Sequence, residues 1–325
     1  MRTRQLGFTD LHFSALALGS FALGGPDWKA SWGPQNDDDS VAAIVRGINL
    51  GVNWIDTAPV YGYGHAEEVV GRALKQCHPK PYVATKCGRL WEQNGTIYGR
   101  LRKASIYQEA EASLRRLGVE VIDLYQMHWP QPDEEIEEGW GAMADLVMAG
   151  KVRFLGASNF SVPQLQRVQK IHPVASLQPP YSLLRRDIEA DLLPFCARER
   201  IGVVAYSPLQ KGLLTGAFSV ARRDNLPPDD HRRNDPMFAE PQFGATLRFV
   251  QGLTQLAKGQ RMSVAELALA WVLRRPELTS AIVGARRPAQ IAETVGAAEK
   301  ILSSDTIQAV ETLLRQRSQA FSPPH

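Results

Sequence analysis

Val52-Asn53-Trp54-Ile55-Asp56-Thr57-Ala58-Pro59-Val60-Tyr61-Gly62-Tyr63-Gly64 runs from a short apolar segment into a loop, and much of the chain repeats that pattern. Val52 to Ile55 reads as a strand buried on both faces, and Gly62-Tyr63-Gly64 cannot continue a regular element. A carboxylate and a phenol thus stand where a buried strand spills into a loop. Alone, Asp56 is an ordinary strand-end acid and Tyr61 an ordinary loop aromatic. What the other strands carry at their ends decides whether chemistry is done here.

Outward from this stretch, strand-length apolar runs alternate with helical periodicities. Upstream, Thr3 to Leu6 and Leu11 to Ser14 flank the turn Gly7-Phe8-Thr9-Asp10 and read as a hairpin. Ala15 to Gly19 is the first strand; Val41, Ile44, Val45 and Ile48 then mark a helix behind the acidic start Asp37 to Asp39. Asn53 to Asp56 is the second strand. Downstream come a helix over Glu67 to Gln76, a strand over Tyr82 to Lys86, and a helix opened by the capping-box spacing Ser105-Ile106-Tyr107-Gln108. Val121 to His128, Val152 to Gly156, Ala175 to Gln178 and Gly202 to Tyr206 are further strands. Between them lie helices over Glu134 to Met148, from the capping box at Ser161, and over Ile188 to Glu199. Lys211 to about Gly244 is a charged, proline-containing segment, and so long a loop is either functional or disordered. Helices over Leu247 to Lys258 and Ser263 to Arg274, an eighth strand at Ser280 to Val283, a helix from Pro288 and a last amphipathic helix with a proline-containing, frayed tail complete the chain.

Eight strand-then-helix units without a composition break specify an α/β chain folded as one (β/α)8 TIM barrel over residues 1–325, with an N-terminal β-hairpin and additional helices near the C-terminus. The alternative is an open doubly wound sheet. That fold usually carries G-x-G-x-x-G, and Gly62-Tyr63-Gly64-His65-Ala66-Glu67 lacks the final glycine.

The composition, 44% hydrophobic and 22% charged, is that of a soluble globular protein. No apolar run nears the roughly 20 residues of a membrane span, and the first residues lack a signal-peptide core, so a cytoplasmic protein without membrane partners is expected. Three widely spaced cysteines, Cys77, Cys87 and Cys196, form neither a disulfide framework nor a metal pattern. A net charge of +3, with no basic block among aromatics, excludes a nucleic-acid groove. It suits an anionic cofactor. Oligomeric state leaves no legible mark.

In a barrel the C-terminal strand ends share one mouth. Asp56, Lys86 and His128 close three successive strands, and Tyr61 hangs just beyond the first. Such clustering of ionisable groups marks an active site. A phenol, with its ordinary pKa of about 10, can give a proton to a carbonyl oxygen if its phenolate is stabilised. Lys86 is the available cation, Asp56 can pair with Lys86, and His128 can hydrogen-bond the carbonyl oxygen. None of them delivers a hydride, so a nicotinamide cofactor is required. A metal-dependent hydrolase using His65, His128 and Asp56 is the weaker alternative, because no ligand pair ends a strand, and no metal is expected.

Along nearly its whole length the sequence resembles the aldo-keto reductases. The motifs are Asp56-Thr57-Ala58 with Tyr61, Lys86, Asp123-Leu124-Tyr125-Gln126-Met127-His128-Trp129-Pro130, Gly156-Ala157-Ser158-Asn159-Phe160, Gln178-Pro179-Pro180-Tyr181, Tyr206-Ser207-Pro208-Leu209, and Gly284-Ala285-Arg286 with Gln290. The resemblance implies that Asp56, Tyr61, Lys86 and His128 are a catalytic tetrad with Tyr61 as proton donor. It implies NADP(H) as cofactor and a small-molecule carbonyl compound as substrate. Ser158, Asn159 and Gln178 would hydrogen-bond the nicotinamide amide, Tyr206 would stack on its ring, and Ser207, Leu209, Lys211, Gly212 and Leu213 would clasp the pyrophosphate. Ser20, Asp56, Gly284, Arg286, Gln290 and Glu293 complete the expected cofactor site, with Arg286 on the 2′-phosphate and Gln290 near the adenine.

Many members carry a Lys-Ser pair where this chain has Gly284-Ala285-Arg286-Arg287, which resembles a bacterial branch that includes general-stress-type NADPH-dependent reductases. Ala66 also replaces a small hydroxyl before Glu67-Glu68. The same fold and tetrad occur in potassium-channel β subunits, which makes a cofactor-binding redox sensor the alternative function; slow turnover would distinguish it. Phe21, Trp28, Trp32, Tyr63, Trp91 and Trp129, all in loops beyond strand ends, are expected to ring the substrate mouth.

Overall fold

The computed structural model describes residues 1–26 and 28–319; the proline-containing tail lies outside the described residues. Strands β1 (Thr3–Gln5) and β2 (His12–Ser14) form the antiparallel hairpin, with Thr3 opposite Ser14. The alternation then runs β3 (Leu16–Gly19), α1 (Asp37–Asn49), β4 (Trp54–Asp56), α2 (His65–Gln76) and β5 (Tyr82–Cys87). A second hairpin, β6 (Arg89–Trp91) and β7 (Ile97–Gly99), precedes α3 (Lys103–Leu117). Next come β8 (Ile122–Met127), α4 (Ile136–Met148), β9 (Val152–Ser158), α5 (Val162–Gln169), β10 (Ser176–Gln178), α6 (Leu192–Arg198) and β11 (Gly202–Ala205). Three helices, α7 (Val220–Asp224), α8 (Gln242–Gly259) and α9 (Val264–Leu273), lead to β12 (Leu278–Gly284), followed by α10 (Pro288–Val295) and α11 (Ser304–Gln319). Apart from the two hairpins, the strands are parallel and close into a barrel in chain order, β12 pairing with β3. The (β/α)8 reading holds.

The barrel is open at one end because the other is plugged. Leu6, Leu11 and Phe13 from the first hairpin are buried with the inward-facing Ala17, Trp54, Ala84, Leu124, Val204 and Ile282. Phe13 stacks on Trp54 at 4.4 Å between ring centroids, and Trp54 Nε1 donates to Ser280 Oγ at 3.1 Å. The turn must press close: at Gly7, φ +56°, a Cβ would lie 2.6 Å from the Arg200 carbonyl oxygen, so only glycine fits.

One local expectation needs correction. Helix α3 starts at Lys103, with Arg102 as its N-cap residue, rather than at the box beginning with Ser105. Glu138 accepts from the Lys103 N–H at 2.9 Å and Glu135 from the Leu101 N–H at 2.7 Å, so tertiary carboxylates serve the helix start. Ser105 Oγ is drawn instead to Glu109 Oε1 at 3.1 Å. The 211–244 segment is built of short pieces: a 3-10 stretch over Gln210–Thr215, α7, and 3-10 turns at His231–Asn234 and Pro236–Phe238. Phe218, Leu226, Phe238 and Phe243 give it a small apolar core of its own with Leu213.

Candidate active site

Period-two alternation sends every second side chain of a barrel strand inward. In β4 these are Trp54 and Asp56, in β5 Ala84 and Lys86, and Lys86 lies in register with Gln126 of β8. Lys86 Nζ donates to Asp56 Oδ1 at 2.8 Å, to Asp56 Oδ2 at 2.7 Å and to the Thr57 carbonyl oxygen at 2.9 Å. Asp56 Oδ1 also accepts from Gln178 Nε2 at 2.8 Å and from Gln126 Nε2 at 3.2 Å. Lys86 is 0% exposed and Asp56 3%. Burial pulls the ammonium below its ordinary range, and Asp56 opposes that pull.

Tyr61 follows β4 in a loop that crosses the β3–α1 loop. At Gly62, φ +61°, a Cβ would sit 2.0 Å from the Gly24 carbonyl oxygen, and only glycine permits that approach. The crossing puts Tyr61 against Phe21, with ring centroids 5.0 Å apart, and 6.1 Å from Trp28. Lys86 Nζ lies 5.2 Å from the Tyr61 ring centroid, and the His128 ring meets Tyr61 edge-on at 5.7 Å. Burial first, then Asp56 and Tyr206, raises the phenol well above its ordinary pKa, so it is protonated at neutral pH. His128, one residue past β8, is held by its backbone N–H on the Cys87 carbonyl oxygen at 3.0 Å. Burial, then Lys86 and Arg89, lowers its imidazole well below the usual range, which keeps it neutral. Its buried Nδ1 has no partner among the described residues. The arrangement combines a protonated phenol, a neutral imidazole and a buried cation beside them.

The expected cofactor residues lie along the same mouth. Ser20 Oγ donates to Thr57 Oγ1 at 2.7 Å, and Ser158 Oγ to the Gln178 carbonyl oxygen at 2.9 Å. Asn159, at φ +63°, donates from Nδ2 to the His128 carbonyl oxygen at 3.1 Å and accepts the Tyr206 hydroxyl on Oδ1 at 2.9 Å. That bond fixes the Tyr206 ring. Gln178 donates from Nε2 to Asp56 and, at 3.1 Å, to Gln126 Oε1; its own Oε1 has no protein donor among the described residues. A carboxamide N–H could be received there, so these residues fit a nicotinamide.

Beyond Tyr206, left-handed φ occurs at Ser207, before Pro208-Leu209, and at Gln210, Lys211 and Gly212, between that pair and the buried Leu213. The Gln210 and Gly212 N–H groups donate back to the Ser207 and Leu209 carbonyl oxygens at 2.9 and 3.0 Å. Lys211 itself pairs with Asp235 at 2.6 Å. At the far end, Gly284 is exposed, Gln290 Oε1 accepts from the Arg286 and Arg287 backbone N–H groups, and Glu293 is exposed on α10. The Arg286 guanidinium is not free: it donates to Trp32 and Pro34 carbonyl oxygens and to Gln35 Oε1.

The six expected aromatics divide. Phe21 and Trp28 pack on Tyr61, and Trp32 joins them through Phe21, which lies 5.1 Å from Trp28 and 6.3 Å from Trp32. Tyr63 and Trp91 pair with each other at 5.5 Å, the Tyr63 hydroxyl donating to the Gly95 carbonyl oxygen at 3.0 Å, and they line an open groove with Lys29 and the tip of the β6–β7 hairpin. Trp129 lies under the Arg89 guanidinium, 5.5 Å away. His65 is drawn off to Asp37 at 2.9 Å, away from His128. Among the described residues, no group of three or more His, Cys, Asp or Glu side chains could hold a metal ion. No helix among them is long and apolar enough to cross a membrane.

Two residues of the site are absent from the sequence expectations. Gln126, 0% exposed, joins Asp56 to Gln178. Alternation with Leu124 and His128 is the signal that would have placed it. His231, from the long segment, stands 5.8 Å from Phe21 and 6.0 Å from Trp32, its backbone N–H on the Ser31 carbonyl oxygen at 3.1 Å. No local pattern announces it.

A model of the Aldo/keto reductase family matches residues 15–315. The chain is 38% identical over 291 residues to the aldo-keto reductase YhdN of Bacillus subtilis (strain 168), covering 89% of this chain and 86% of that protein. It is 34% identical over 302 residues to a protein of Escherichia coli (strain K12) named NADH-specific methylglyoxal reductase, covering 89% and 90%. Among solved structures, the glycerol dehydrogenase AKR11B4 from Gluconobacter oxydans superposes with a TM-score of 0.89 at 39% identity, covering 99% of this chain and 98% of that one.

Proposed function

The chain belongs to the aldo/keto reductase family, and from that we propose that it reduces aldehydes or ketones to alcohols, with NADPH as hydride donor and Tyr61 as proton donor. The buried Lys86–Asp56 pair beside the Tyr61 ring is the observation that carries the reading. Bound NADPH supplies the hydride. Tyr61, held protonated by burial, gives its proton to the carbonyl oxygen, and the phenolate left behind is stabilised by the Lys86 cation. Asp56 orients Lys86 and keeps it charged, while Gln126 and Gln178 hold Asp56 in place. Neutral His128 donates a hydrogen bond that aims the carbonyl oxygen at Tyr61.

The preference for NADPH rests on Arg286, which stands between the end of β12 and the N-terminus of α10, where a guanidinium fork and a helix end favour a phosphate. Relatedness does not supply it, since one relative is named NADH-specific. Arg286→Ala is expected to weaken NADPH binding by roughly ten- to hundred-fold, the range of one charge-assisted hydrogen-bonding group, and NADH binding far less. Titrating both cofactors checks this; equal losses would remove the phosphate contact.

The wall of Phe21, Trp28 and Trp32 over Tyr61 suits medium-sized, weakly charged carbonyl compounds, aromatic aldehydes included. The relatives named for methylglyoxal and glycerol keep sugar-like carbonyls in range. At fixed NADPH, kcat/KM is expected to be higher for a nitro-substituted benzaldehyde and for glyceraldehyde than for pyruvate. Pyruvate as the best of the three would sink this pocket.

A further inference from the structure

Arg286 ties the cofactor end of the site to the substrate end. Its backbone N–H donates to Gln290 Oε1 at 2.7 Å, at the start of α10. Its guanidinium points the other way, into the β3–α1 loop: Nε donates to Gln35 Oε1 at 2.6 Å, Nη1 to the Trp32 carbonyl oxygen at 3.0 Å, and Nη2 to the Pro34 carbonyl oxygen. Gln35 Nε2 returns a bond to the Arg286 carbonyl oxygen at 2.8 Å. The far side of the same loop is held by the long segment. There, His231 N–H and Asp229 Oδ2 engage Ser31, and the Arg232 guanidinium lies 4.5 Å from the Trp32 ring. Trp32 leads to Phe21, and Phe21 to Tyr61. Arg286 thus holds the Trp32 wall from one side and the long segment from the other.

Three of the five guanidinium N–H groups can thus be committed to neutral acceptors. The bonds to the loop oxygens carry charge on the donor side alone, whereas a phosphate dianion brings its own charge and accepts two parallel N–H bonds from the guanidinium fork, so it competes for the donors. We propose that Arg286 is a positioning residue for the carbonyl pocket: an adenosine 2′-phosphate draws its guanidinium off Trp32, Pro34 and Gln35, so the NADPH complex has a looser Trp32 wall than the NADH complex and prefers bulkier aldehydes. This rests on the proposed phosphate role of Arg286. Linkage makes the effect reciprocal, so a bulky aldehyde favours NADPH over NADH binding.

The test is the ratio of kcat/KM for a nitro-substituted benzaldehyde to that for glyceraldehyde, measured with each cofactor in the parent, Arg286→Ala and Gln35→Ala. In the parent, the ratio is expected to be about fivefold higher with NADPH, near the low end of typical coupling, with the change in KM of the bulky aldehyde rather than in kcat. Arg286→Ala is expected to give one high ratio with both cofactors. Gln35→Ala, which removes one loop acceptor and leaves the arginine in place, is expected to raise the NADH ratio toward the NADPH value. A parent ratio independent of cofactor, or a cofactor dependence that survives Arg286→Ala, would overturn the coupling. Failure of the phosphate reading shows separately, as an unchanged ratio of NADPH to NADH Kd in Arg286→Ala. The loop clamp is then judged on the NADH series alone: a raised ratio in Arg286→Ala supports it, and an unmoved one rejects it.

Discussion

Tyr61→Phe is expected to lower kcat for aldehyde reduction by roughly 10²- to 10⁴-fold, the usual worth of a general acid, while cofactor Kd stays at the parent value. The substitution keeps the ring that packs on Phe21, Trp28 and His128 and removes only the hydroxyl. Folding stability should therefore hold. Lys86, Asp56 and Gln178 are untouched, so binding at the nicotinamide end should hold as well. Single-turnover rates with saturating NADPH, together with a cofactor titration, separate the two effects. Parent-like turnover with normal cofactor binding would show that the proton comes from elsewhere.

Asp56→Ala is expected to cost about 3–5 kcal/mol of stability at neutral pH, because it leaves a buried lysine charge without its carboxylate. Lys86 would keep only the Thr57 carbonyl oxygen, and the amides of Gln126 and Gln178 would lose an acceptor. The sign of the pH dependence follows. Burial already lowers the folded-state pKa of Lys86 below the ordinary lysine value of 10.5, and removing Asp56 lowers it further. The unfolded chain then binds the proton more tightly, so the destabilisation is full below the lowered folded pKa and fades as pH rises from there toward 10.5. Denaturant melts of parent and variant at neutral and at high pH measure this. A loss under about 1 kcal/mol at neutral pH, the size of an exposed pair, would mean that Lys86 is far better solvated than its burial implies.

What was legible in the sequence follows the range over which each signal acts. Barrel strands announce themselves locally, as apolar runs between turns, so Asp56 and Lys86 could be placed at strand ends and met as a pair. Helix starts were legible where the cap is local, as with the boxes at Ser161 and Ser263. At α3 a distant carboxylate, Glu138, displaced the local box, and nothing near Ser105 records it. The β6–β7 hairpin is absent from the sequence expectations although its signal is local, Asn94-Gly95 between short apolar runs, with Gly95 at φ +81°. Alternation with Leu124 and His128 turns Gln126 inward, but its place beside Lys86 and Asp56 needed the register between β5 and β8. His231 and the Arg286 clamp needed a tertiary fact, the docking of segments about 200 and 250 residues apart. Distance in the chain, more than subtlety of chemistry, separates these groups.

The hairpin plug at the base makes the barrel a vessel with one working end. Trp54 stands only two residues, about 7 Å at ~3.3 Å per residue, from Asp56 on β4, while Leu6 and Leu11 pack with it from the hairpin, away from the Tyr61 mouth. Well-separated substitutions with no shared partners add in free energy. For directed evolution this separates two searches: tightening the plug around Leu6 and Leu11, with Trp54 kept, raises the tolerance of the whole scaffold, and diversity at Trp28, Trp32, Trp91 and His231 can then be explored with little interference between the two libraries.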